Sequence, residues 1–270
     1  ANTHLRARLI QNKYLKTNST DAEATGSWGQ FDYSNGWFDR GGNTDDYSDW
    51  HSWMWKRHAG FDVVTYTGNG ATQAQGGQTI KHNLSKTPEM VWLKYRNDTY
   101  DWQVYHKGLN GGTNPQNYKV QLNDNSAESG NAAWWNNTAP TSTAFTVGDS
   151  TRVNYDGGQY IAMLFASVDG ISKCGFYTGN GTSSSSTQTI TTGFQPRFLI
   201  IRRTDVANWW IVLDTTRGWA SGDDKYLQLN DSAAQADYEF GVPISTGFTL
   251  TGNNGAHNVN SGKYIYYCHA

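Results

Sequence analysis

From residue 61 onward the chain is a succession of short apolar runs: FDVVTYT, MVWLKY, QVYH, YIAMLFA, FLIIRR, WIVLD and YIYYC. Each run is bounded by Gly, Asn, Asp, Ser or Pro, which is the punctuation of strands and tight turns. No ten-residue window keeps a 3.6-residue period, so helices are not expected beyond a turn within 126–135 or 233–238. Asn-Gly and Asp-Gly pairs fall at Asn35-Gly36, Asn69-Gly70, Asp156-Gly157, Asp169-Gly170, Asn180-Gly181 and Asn254-Gly255. Such pairs tolerate φ > 0 at both central positions of a two-residue hairpin. Roughly eight strands in about 100–110 residues, with turns every 8–12, predict an all-β chain of antiparallel β-sandwiches. The inner faces of two packed sheets would supply each core.

The runs recur in order. Tyr66-Thr67-Gly68-Asn69-Gly70 returns as Tyr177-Thr178-Gly179-Asn180-Gly181. Pro88, the apolar run 90–93 and Lys94 match Pro196, the run 198–201 and Arg202. Trp102 matches Trp210, Tyr118–Asp124 matches Tyr226–Asp231, and STAFTV at 142–147 matches STGFTL at 245–250. Val153-Asn154 is set against Val259-Asn260, and Gly158–Ile161 against Gly262–Ile265. A third copy at the N-terminus keeps only its second half: NKYLKTN at 12–18 resembles KYLQLND at 225–231, and Trp50–Trp55 takes the place of Tyr160–Phe165. Shared order and spacing define a repeat. It divides the chain into 1–58, the C-terminal half of a truncated first repeat, and 59–170 and 171–270, the second and third β-sandwich repeats. A half sandwich leaves unpaired edges and half a core. Residues 1–58 are therefore expected to pair with upstream residues or with strands of another subunit.

Composition narrows the function classes. Of 270 residues, 16% are charged and 14% aromatic, with 12 Trp and a net charge of −2. Without a Lys/Arg run, the counterion-release footprint of nucleic-acid binding is missing. No apolar run approaches the ~20 residues of a membrane span. Two cysteines do not make a disulfide framework. Cys174 and Cys268 fall on the first and last strands of the third repeat and are expected to be neighbours without an obligatory bond.

Chemistry-bearing patterns are sparse. The TGNG stretches lack the Lys-Ser/Thr and following helix of a phosphate loop and read as turns. The four Glu (23, 89, 128, 239) are scattered, and Asp45-Asp46 and Asp223-Asp224 are adjacent in polar stretches. Neither pattern offers the facing carboxylates of a glycosidase. The seven His show no zinc spacing, and no nucleophile elbow occurs. No cofactor is expected; a Ca²⁺ site in the Asp/Asn-rich stretch Gly41–Asp49 stays open, although the EF-hand spacing is absent. Six Asn-x-Ser/Thr sequons follow from the Asn- and Thr-rich composition.

Aromatics that recur (Tyr66/Tyr177, Trp102/Trp210, Tyr118/Tyr226, Phe145/Phe248, Tyr160/Tyr264) read as structural. Those that do not recur are free to carry specificity: Trp28, Trp50, Trp53, Tyr100, Trp134, Trp135, Trp209 and Trp219. Exposed aromatic faces stack on sugar rings, and amide side chains hydrogen-bond hydroxyls. Trp134, Trp135 and Trp219 lie in loop-like stretches rich in Asn, Gly and Ser, and are the candidate ligand-binding residues.

FDVVTYTGNG, TPEMVWLKYR, WQVYHKGL, the Tyr-Leu-x-x-Asn element, STAFTVG and VN…GGQYIAMLFA together resemble a repeat domain of marine phage and cyanophage tail-fibre-like and virion surface proteins. Nearly the whole chain takes part, as one half unit and two whole ones. It departs from that pattern at Trp50, Trp53 and Trp55, where the closing strand of the family often has Tyr, Ala or Trp. The resemblance implies a concanavalin-like lectin sandwich of jelly-roll type, without a catalytic motif. It implies a virion-surface location, with host-surface glycans, other virion proteins and further copies of the chain as partners. The expected function is non-enzymatic attachment to host glycans. A purely structural decoration or fibre-shaft role and a glycan depolymerase are the alternatives.

Overall fold

A computed structural model describes residues 3–26, 30–33, 36–38, 51–57, 60–182 and 187–270. The chain is nearly all β, in antiparallel sheets. The second segment forms a six-stranded sheet in the order Ser129–Gly130, Tyr118–Gln121, Gln103–His106, Met90–Tyr95, Gln159–Phe165, Phe61–Thr67. In the third segment the order is Ala236–Tyr238, Asp224–Gln228, Trp210–Asp214, Phe198–Arg203, Lys263–His269, Ser172–Thr178. Strand for strand, these are the same. The stretches 126–135 and 233–238, expected to hold at most a helical turn, supply the short outermost strands; among the described residues the one α-helical turn lies at Thr151–Asn154.

Both large sheets are buried on both faces, which is why their central strands are unbroken apolar runs rather than alternating ones. Along Met90–Tyr95, Met90 and Trp92 point to one side, and Val91, Leu93 and Tyr95 to the other. The outer faces are covered by small sheets: Gln78–Lys81 with Ala144–Val147 in the second segment, and Thr187–Thr191, Gly247–Thr251 and Pro243–Ile244 in the third. Phe145 and Phe248 fill these outer cores. The inner faces meet in one core that includes Trp92, Trp102 and Met163 of the second segment, Ile200, Trp210 and Tyr267 of the third, and Ile10 and Leu15 of the first. The boundaries near 58 and 170 therefore separate sheets, not cores.

The half repeat holds more than its sequence suggested. His4–Leu5 pairs with Lys13–Lys16 in the register His4↔Lys16, Leu5↔Leu15. The second segment pairs Gln103↔Gln121 and Val104↔Val120 in the same way. Thr17 N–H donates to Thr3 O at 3.0 Å, as Leu229 N–H does to Trp210 O. The short stub is thus the counterpart of the Gln103–His106 strand, and Thr3 stands where the other segments carry a tryptophan. Ala24–Thr25 completes a three-stranded sheet. The described strands of residues 1–58 pair with one another, and Ala7, Ile10 and Leu15 enter the shared core. His4–Leu5 and Ala24–Thr25 are the edge strands of the three-stranded sheet, the places where the half-sandwich argument expects further strands.

The seams between segments repeat. Trp102 Nε1 donates to Lys16 O at 2.9 Å; Trp210 Nε1 donates to the corresponding Gln121 O at 2.8 Å. Lys94 reaches Thr20 O, and its counterpart Arg202 reaches Asp124 O and Ser126 O. Glu23 N–H donates to Arg96 O, and Glu128 N–H to Thr204 O, both at 2.8 Å. The third segment then meets the first: Thr17 Oγ1 donates to Leu229 O, and Trp53 Nε1 to Asp214 at 3.1 Å. Trp55 lies 6.4 Å from Phe165 and 6.1 Å from His269, the ring centroids of three corresponding residues. Three segments therefore surround one core in a cycle.

Cys174 and Cys268 lie on paired strands, as expected, but do not face each other. Cys174 is opposite Tyr267 and points into the shared core, whereas Cys268 is opposite Lys173 and points into the outer core. Both are buried free thiols. Successive side chains alternate across a strand, so this register excludes a bond.

The TGNG stretches are turns. Asn69 N–H donates to Asn154 Oδ1 at 3.0 Å and Asn180 N–H to Asn258 Oδ1 at 3.1 Å, so these amides are already engaged. A Cβ on Gly68 or Gly179 would lie 2.2 Å from a carbonyl, of Tyr155 and Val259 respectively, so only glycine fits. No described helix is long and apolar enough to cross a membrane.

Candidate functional site

The hydrogen bonds correct two sequence alignments, and the corrections locate a site. Val120↔Val104 and Leu227↔Val212 make Lys119, not Tyr118, the counterpart of Tyr226. The matched bonds of Asn154 and Asn258 make Ala256, not Asn258, the counterpart of Arg152. Tyr226 is therefore not a recurring structural aromatic.

On the outer face of the third segment's large sheet lies a cleft of about 240 Å³, lined by Asn208, Trp209, Ile211, Tyr226, Gln228, Tyr238, Phe240, Asn254 and Ala256. Neighbours on the chain divide the work. Trp210 points into the shared core and is fully buried, while Trp209 turns to the opposite side and lines the cleft. Phe240 meets Tyr226 and Tyr238 edge-on, with centroids 5.2 and 5.3 Å apart, so the aromatic wall is braced. Asn208 is held by Nδ2–H donation to Gly255 O at 2.9 Å and by Trp209 N–H donating to its Oδ1 at 2.8 Å. Asn254 Oδ1 accepts from Ala256 N–H at 2.8 Å, which assigns the oxygen of its amide to the backbone. Gln228 Oε1 is buried and has no hydrogen-bond partner. The lining presents flat apolar faces and amide groups and carries no charge.

In the second segment the same place is filled. Arg152 stands where the third segment has Ala256. Its guanidinium lies 5.6 Å over Tyr100 and 5.8 Å over Trp134, and 3.6 Å from Asp101. Lys119 Nζ lies 5.3 Å from the centroid of the Trp134 ring. Tyr100, Asp101 and Lys119 correspond to Asn208, Trp209 and Tyr226. One segment thus closes with stacked cations the space that the other leaves open.

Of the three expected ligand residues, none presents a free ring. Trp135 is 3% exposed and donates Nε1–H to Tyr118 O; Trp219 is 2% exposed and donates to Gly241 O. They enter the two outer cores from different loops, which hid their shared role. Trp134 is half-buried beneath the two cations. Of the remaining non-recurring aromatics, Trp53 closes the third seam, Tyr100 stacks on Tyr95, and Trp209 lines the cleft. Trp28, Trp50 and the stretch Gly41–Asp49 lie outside the described residues. Among the described residues, no three His, Cys, Asp or Glu side chains gather as a metal site.

Residues 4–270 match a family described only as a domain of unknown function, DUF7483. The chain belongs to that family. The matched residues take in the half repeat as well as both whole ones. No curated protein and no solved structure matches the chain.

Proposed function

We propose that this DUF7483 chain is a non-enzymatic, sugar-binding part of a phage virion surface protein, such as a tail fibre, that attaches to host glycans. The observation that carries the binding step is the cleft lined by Trp209, Tyr226, Tyr238, Asn208, Gln228 and Asn254. Aromatic faces with a few fixed polar groups are what a sugar ring needs, because its C–H faces are apolar and its rim is all hydroxyls. None of the lining residues is acidic, which supports binding rather than hydrolysis by paired carboxylates. The virion setting rests on the sequence resemblance. A purely structural role draws support from the closed counterpart in the second segment.

A glycan array with the full chain tests the reading. A saturable hit that Trp209→Ala removes while the fold is kept is the expected result. No hit on a broad array favours the structural role, and turnover of any polysaccharide favours a depolymerase.

A further inference from the structure

We infer that the cleft takes a single uncharged sugar ring, at one site per chain; this rests on the sugar-binding reading above. Size sets the first limit. A volume of about 240 Å³ lies below the ~300–1,000 Å³ of clefts that enclose drug-sized ligands, and the cleft is open to solvent, so there is room to seat one ring while further residues of a glycan project outward.

Charge sets the second limit. Sialic and uronic acids carry a carboxylate that has to be paired once it leaves water. The lining offers no Lys, Arg or His. The cations exist in the second segment, as Arg152 and Lys119, but there they are stacked on Tyr100 and Trp134 and fill the space. In the open cleft their places are taken by Ala256 and Tyr226. The exchange removes positive charge and creates room in one step. The polar groups that remain suit hydroxyls: the Gln228 Oε1 acceptor lacks a partner, and the Asn254 amide NH₂ is a donor.

Stoichiometry sets the third limit. Arg152 closes the equivalent of this cleft in the second segment, so two whole repeats give one site.

Calorimetric titration of the full chain with methyl hexopyranosides, and separately with the methyl glycosides of N-acetylneuraminic and glucuronic acids, tests this. At least one neutral glycoside is expected to bind with one equivalent per chain, and neither acid to bind. Ala256→Arg, which restores the plug, and Trp209→Ala are each expected to weaken binding about tenfold or more. Arg152→Ala, which leaves Lys119 stacked on Trp134 in the second segment, is expected to leave the affinity of the third segment's cleft unchanged. Near-UV circular dichroism checks that each variant keeps its fold. Binding of acidic glycosides alone, or two equivalents per chain, overturns the inference and leaves the sugar-binding reading intact. Binding that survives both cleft variants in a folded chain places the sugar elsewhere and overturns it too. Failure of both glycoside classes to bind removes the sugar-binding reading and the inference together.

Discussion

The second and third segments share sheet order, register and seam contacts, yet one carries a filled outer surface and the other an open cleft. The difference comes down to a few exchanges on a constant frame: Arg152 for Ala256, Lys119 for Tyr226, Tyr100 for Asn208, Asp101 for Trp209. Inner-face counterparts differ too, as Trp92 and Ile200 or Met163 and Tyr267 do, but they stay apolar and buried. Trp102 and Trp210 do the same thing at successive seams, because each is fixed by a carbonyl of the preceding segment. The outer face exchanges polar, charged and aromatic residues freely, whereas each seam between segments keeps its tryptophan.

The sharpest way to break the comparison is to separate the segments. Expressed alone, residues 171–270 would expose Phe198, Ile200, Trp210, Val212, Ile265 and Tyr267 together, an apolar face that water does not tolerate. The fragment is expected to be unfolded or aggregated, and a soluble monomer with native circular dichroism would show that the shared core is dispensable. Within the full chain, Trp102→Ala and Trp210→Ala are each expected to cost about 3–5 kcal/mol in urea denaturation, with the chain unfolding as one unit. Unequal losses would mean that the two seams are not alike.

Acid should sharpen the comparison next. His106 and Asp214 are counterparts, but burial holds the His106 imidazole down to about 3, with Nε2 against Tyr266 O and Nδ1 accepting from Gly108 N–H. Burial likewise holds His269 down to about 4 and lowers His257. These side chains are lower in the folded state than their ordinary 6.5, so their contribution is complete above that value and is lost as pH falls towards 3. Burial would raise Asp214, but its bonds to Arg217 hold it below its ordinary 3.8, so its contribution fails only under that value. Stability is expected to fall as pH drops from 6.5 to 4, with His106 contributing a slope near one proton over that range. His106→Gln, which keeps a donor towards Tyr266 O, should flatten that slope, whereas Asp214→Asn should not.

Smaller effects distinguish the two outer faces. Trp209→Ala is expected to remove about 1–3 kcal/mol of sugar affinity, while Trp134→Ala leaves affinity as it was. Arg152→Ala is expected to cost only about 0.5–1 kcal/mol of stability by thermal melting, since its charge is half in water and its ring contacts are few.

How much of this was legible depended on which face a residue serves. Strands, turns, the repeat and the structural role of Trp102 and Trp210 were readable, because backbone hydrogen bonding and burial impose them on every copy. The shared core was written in MVWLKY and FLIIRR, whose lack of alternation reports burial on both sides, but runs of that kind do not say what lies on the second side. Loop position misled for Trp135 and Trp219: a loop that folds back delivers its tryptophan to the core as well as any strand does. The cleft was hidden by a one-residue shift. Matching Tyr118 to Tyr226 by identity made Tyr226 look structural, whereas matching Leu122-Asn123 to Leu229-Asn230 would have set it against Lys119. Trp209 was visible as an aromatic without a counterpart; Tyr238, Gln228 and Asn254 had no signal of their own.

At both matched seams a tryptophan and a buried cation reach back to the segment before. In an open array such one-way contacts would allow any number of copies, each added at the growing end. Here the last segment returns to the first through Thr17, Trp53 and Asp214, so the count is set by geometry and not by the sequence of any one copy. Duplicating a further repeat inside this chain would not yield a longer rod. It would have to prise open a closed circle, and the lineage of such a gene can diversify its outer loops far more freely than it can change its number of parts.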